Sequence, residues 1–88
     1  MELYITSRQT DDEQGNQRRF EYYLTIDCIE AGNFCFENYG VRITEPGIRT
    51  QAIPALTTSA LRIDQLMTML VDNTVGPVGL RDVIEDWL

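Results

Sequence analysis

Histidine and lysine are both missing from this 88-residue chain. Without histidine the chain loses the commonest general base, the usual activator of a nucleophile and a favoured metal ligand. Carboxylate chemistry stays open, yet an enzyme is not the expectation. Positive charge of any kind is scarce, since seven arginines face fourteen acids for a net charge of −7. A nucleic-acid binder needs a cationic footprint on phosphate, and the only adjacent basic pair is Arg18-Arg19. The same sign argues against attachment to an anionic membrane. No apolar run approaches the roughly 20 residues of a membrane helix, and Met1-Glu2-Leu3-Tyr4 lacks the start of a signal peptide. These absences lead to a cytoplasmic expectation, with Cys28 and Cys35 as reduced thiols.

What is present reads as a single domain over residues 1–88, with 43% hydrophobic residues as in ordinary globular chains. Leu3, Ile5 and Ser7 alternate with Glu2, Tyr4 and Thr6, which predicts a short first strand. Gln9 to Gln17, rich in Asp, Glu, Gln and Asn, reads as a solvated loop. Phe20, Tyr22, Leu24, Ile26 and Cys28 then share one face of a second strand. Glu30-Ala31-Gly32-Asn33 supplies a hairpin turn into Phe34 and Phe36. A parity break follows, because Tyr39, Val41 and Ile43 are odd-numbered. A bulge near Glu37-Asn38 or a bend at Gly40 would resolve it, and the alternative places the two sets on opposite faces; the bulge is favoured. Glu45-Pro46-Gly47 turns the chain into a fourth strand, Ile48 to Ala52, with Pro54 marking its end or an edge.

The period then changes. Thr57, Thr58 or Ser59 can cap a helix whose apolar stripe is Ala60, Ile63, Leu66, Met67, Leu70 and Val71. After the connector Val75 to Gly79, Leu80, Val83, Ile84, Trp87 and Leu88 form a second stripe. A helix this short is not stable alone and must dock. The expected architecture is α+β: an antiparallel β-meander of about four strands with two C-terminal helices packed on one face.

Few residues suggest chemistry. In the register that keeps the aromatics of both strands together, Cys28 and Cys35 point to opposite faces and cannot bridge. Cys28 is then a buried inert thiol and Cys35 the one candidate for reactivity. Asp82, Glu85 and Asp86 share a helix face but lack the carbonyl loop of a calcium site. No metal or cofactor is expected. Glu85 and Asp86 crowd the negative end of their helix, so Arg18, Arg19 or Arg49 is expected to relieve them. The glycines at 76 and 79 do not have phosphate-loop spacing. The tyrosines, without surrounding arginines, are expected to pack the sheet.

Tyr39-Gly40-Val41-Arg42-Ile43, together with the ending Pro77-Val78-Gly79-Leu80-Arg81-Asp82-Val83-Ile84-Glu85-Asp86-Trp87-Leu88, resembles a family of short bacterial proteins of unknown function. In that family a YG-x-x-I strand precedes a helix and an sPVxLrDViEDfL ending. Gly76 and Gly79 depart from the pattern. The resemblance runs from Phe36 onward and implies a small bacterial cytoplasmic protein with no catalytic residues to transfer.

The expected function is that of a small protein-binding or regulatory module without catalytic activity, working through a protein partner or self-association. Its candidate surface is Tyr39, Arg81, Asp82, Glu85, Asp86 and Trp87. Two rivals are an acidic nucleic-acid mimic that inhibits a DNA-binding protein and a carboxylate- or thiol-dependent enzyme.

Overall fold

The computed structural model describes residues 1–88. Strands β1 (Glu2–Asp11), β2 (Gln17–Ala31), β3 (Phe34–Glu45) and β4 (Arg49–Thr57) precede helix α1 (Ala60–Asp72), a 3-10 turn at Pro77–Gly79 and helix α2 (Leu80–Trp87). The strands form one antiparallel sheet in the order β1-β2-β3-β4. The α+β meander is therefore the fold, with both helices feeding the same core.

The first connection is tighter than expected. Gln9 to Asp11 and Gln17 to Arg19 are strand, and Asp11 pairs with Gln17. Only Asp12 to Asn16 form the turn. One Asp12 oxygen accepts from the amides of Gln14 (2.9 Å) and Asn16 (2.8 Å). These amides, Asn16 first, lower the Asp12 pKa. Polarity had suggested a loop, yet here it reflects a solvent-facing ribbon closed by an acidic turn.

The parity break resolves without a bulge between β2 and β3. Their register runs unbroken from Glu21 opposite Thr44 to Ala31 opposite Phe34. A two-residue turn at Gly32-Asn33 pairs 31 with 34, so even residues of β2 share a face with odd residues of β3. Phe20, Tyr22, Leu24 and Ile26 thus lie with Tyr39, Val41 and Ile43, whereas Phe34 and Phe36 lie on the other face. The bulge favoured near Glu37-Asn38 is absent there. The irregularity falls between β3 and β4, where the register shifts between Tyr39 and Val41. β4 continues past Pro54 to Thr57, with Ala55 at φ 59°. Gly40 lies beneath this kink: a Cβ there would sit 2.5 Å from Pro54 Cα and 2.7 Å from Thr25 Oγ1.

Ser59 caps α1, its hydroxyl accepting from the Arg62 amide at 3.2 Å. The core joins Phe20, Tyr22, Val41 and Ile43 of the sheet to Ile63, Leu66, Met67 and Leu70 of α1 and Leu80 and Ile84 of α2. The Tyr22 hydroxyl donates to the Val75 carbonyl at 2.8 Å and ties the connector to the core. Gly76 is explained by the Phe20 ring, since a Cβ there would meet its Cζ at 2.9 Å. Nothing in the structure explains Gly79. At the far end of the sheet, Glu45 is only 2% exposed. The Arg18 guanidinium donates two bonds of 2.8 Å to its carboxylate, a bidentate pair that lowers its pKa.

Candidate functional site

Helix α1 touches β3, β4 and β1, so it reaches across the sheet. Leu80 and Ile84 of α2 join the core that α1 covers. Beside α1 runs an open groove of about 470 Å³, the size of a ligand or peptide site. Its floor is Ile5, Thr6, Leu24, Ile26 and Tyr39, and its wall is the α1 face from Ala60 through Ile63, Asp64, Met67, Thr68 and Val71 to Asp72. Leu3 and Ile5 are 44% and 43% exposed, so this part of the sheet is apolar and bare.

The rim is acidic. Glu37, Asp64 and Asp72 line it. The Tyr39 hydroxyl donates to Glu37 Oε2 at 2.6 Å, and this bond to a carboxylate raises the phenol pKa. Arg8 approaches Asp72 at 3.9 Å, both side chains mostly in solvent, so the pair is weakly held.

The groove opens toward a protruding arm. β1 begins opposite Thr25 and β4 ends opposite Tyr39, so beyond them β2 and β3 continue as a two-stranded ribbon. Every residue from Asp27 to Glu37 is exposed. The 15-residue β2 accounts for much of the molecule's 54 Å length, against 25 and 17 Å in the other directions. Cys28 and Cys35 are joined by a disulfide across this arm, Cα atoms 6.1 Å apart. This corrects the expectation of two separate thiols, Cys28 buried and inert and Cys35 the candidate for reactivity: the register places both on the groove-side face. The opposite face carries Ile29, Phe34 and Phe36, 44%, 69% and 50% exposed, with the two phenylalanine rings stacked at 6.2 Å.

Of the surface residues expected from sequence, Tyr39 lines the groove. Arg81, Asp82, Glu85 and Asp86 lie exposed on α2, which contributes nothing to the groove. Trp87 is half-buried beneath the Arg62 guanidinium, 4.3 Å from its ring centre. The arginines expected to relieve Glu85 and Asp86 are elsewhere: Arg18 pairs with Glu45, Arg19 with Glu21 at 3.5 Å, and Arg49 stands opposite Glu45 in the β3–β4 register. On the sheet's other face Tyr4 packs edge-on to Tyr23. Arg42 covers Tyr23 at 3.8 Å and bonds Glu2, so these tyrosines do have an arginine beside them. The sequence marks Asp64, Thr68 and Asp72 only as polar positions away from the apolar stripe of α1, although their i, i+4, i+8 spacing sets them on one helix face.

No group of three His, Cys, Asp or Glu side chains is placed to hold a metal ion, and no helix is long and apolar enough to cross a membrane. The chain belongs to the Family of unknown function (DUF6514), whose family model matches residues 1–88. No curated protein and no solved structure matches it.

Proposed function

We propose that this protein is a small binding module that docks another protein in the groove beside α1, without catalysis. The observation that carries this reading is the apolar groove floor, with Ile5 exposed and Leu24 and Ile26 half-buried, beside a fully formed core. A contiguous exposed apolar surface with a polar rim is the usual mark of an interaction site. Glu2, Glu21 and Glu45 are paired with arginines, which leaves fewer free carboxylates for the rival role of nucleic-acid mimic. A cytoplasmic location would favour the dithiol form of Cys28 and Cys35 and an oxidising one the disulfide. Neither sulfur lines the groove, so the reading holds in either compartment.

The test is affinity capture from source cells with the native chain and with Ile5→Arg, which sets a cation and a bulky chain on the floor. Ile5 is exposed, so the variant should keep its unfolding midpoint. A stoichiometric protein held by the native chain and released by Ile5→Arg supports the reading. Partners held equally by both would place binding elsewhere on the molecule.

A further inference from the structure

We infer that the occupant of the groove is a basic amphipathic helix supplied by a different protein; this rests on the docking reading above. The shape comes first. The wall is one face of α1 from Ala60 to Asp72, a length of about 18 Å at 1.5 Å per residue. A second helix laid beside α1 at an interaxial distance of about 8–10 Å would complete the helical layer. Its apolar stripe would meet Ile5, Leu24, Ile26, Met67 and Val71, in the helix-in-groove mode of recognition.

Charge then selects the partner. Asp64 and Asp72 both face the groove, and eight residues of helix separate them by about 12 Å. Lysines or arginines spaced seven or eight residues apart on the incoming helix would meet both. Glu37 adds a third carboxylate at the arm end. A second copy of this chain is a poor occupant. It carries the same net charge of −7, and its short α2 would bring Asp82, Glu85 and Asp86 against an acidic rim.

The experiment titrates the full chain with three labelled synthetic peptides of about three to four helical turns, read by fluorescence anisotropy with amide chemical shifts to locate the contact. One has a leucine stripe and lysines eight residues apart, the second the same stripe with glutamates, and the third the basic composition scrambled to destroy the stripe. The basic amphipathic peptide should bind and shift Ile63, Met67 and Val71. Removing the two rim charges with Asp64→Asn and Asp72→Asn together should weaken it about ten-fold; both side chains are exposed, so the fold survives. Equal binding by the acidic peptide would overturn the basic partner while leaving the groove as a docking site. Equal binding by the scrambled peptide would reduce the effect to unspecific charge attraction and overturn it too. Failure of all three would overturn the helical occupant and leave the docking reading to the capture test with Ile5→Arg, whereas a homodimer that protects the groove would end both readings.

Discussion

Strands β2 and β3 run through two regions with opposite fates. In the body, Phe20 and Tyr22 meet Val41 and Ile43 beneath the helices, and all four are buried. In the arm, Ile29 faces Phe36 and Ala31 faces Phe34 in the same unbroken register, yet every one of these side chains stands in water. Alternation sorts residues between two faces of a strand; it does not decide whether anything covers a face. Cover comes from α1 and α2, which pack on the face carrying Phe20, Tyr22, Val41 and Ile43; Ile29, Phe34 and Phe36 lie on the opposite face, over which no helix is laid.

The contrast is sharpest under truncation. Leu70→Ala in the body should cost about 3–4 kcal/mol, the price of a core cavity. Phe36→Ala in the arm should stay within about 0.5 kcal/mol, as for an exposed site. Urea denaturation of both variants measures the difference, and equal losses would mean that the arm is covered in solution.

A smaller effect is expected at Tyr22. Burial pushes its phenol pKa up to about 12, so between pH 10 and 12 the unfolded chain loses this proton while the folded one keeps it. The stabilisation is complete below the unfolded value and is lost as pH rises through the folded one. Tyr22→Phe should cost about 1–2 kcal/mol at neutral pH, because the Val75 carbonyl loses its donor. It should also flatten the alkaline fall in stability, measured as the unfolding midpoint from pH 9 to 12.

Glu45 supplies the acid counterpart. Arg18 holds its folded pKa below the ordinary carboxylate value, so the pair stabilises above the unfolded pKa and loses its effect as pH falls through the folded one. Arg18→Met should therefore destabilise most at pH 7 and least near pH 3. A pH-independent loss would assign Arg18 a packing role instead.

The last test falls on the arm's own staple. Reducing Cys28–Cys35 opens an eight-residue loop that chain entropy alone values at about 2.5 kcal/mol. The reduced arm can fray independently of the body, so the global midpoint should move by less than that. Hydrogen exchange should accelerate from Asp27 to Asn38 and stay unchanged in α1; acceleration in α1 would show that the two regions are coupled.

Much of the fold is written in local pattern. The period-two run from Phe20, the period change after Thr57 and the stripe from Leu80 to Trp87 each mark their element. The errors share a cause. The pairing of Cys28 with Cys35 and the separation of Phe34 from Val41 both follow from a two-residue turn, which matches odd positions with even ones. Keeping the aromatics together chose the wrong register. Tyr39 was the one groove residue singled out as a candidate, because the groove arises where three strands and a helix happen to meet.

The sequence by itself determined the number, order and type of elements and the apolar stripes that pack, since periodicity and turn chemistry act over a few residues. Tertiary structure alone decided how far the helices reach along the sheet. That reach depends on the path of α1 across β4, β3 and β1, with Asp72 beside Arg8, and on Gly40 admitting the β4 kink. It left one stretch of the helix-side face as core and the next as groove, while the apolar residues of the arm lie on the face without helices, because burial is a relation between elements that meet only after folding.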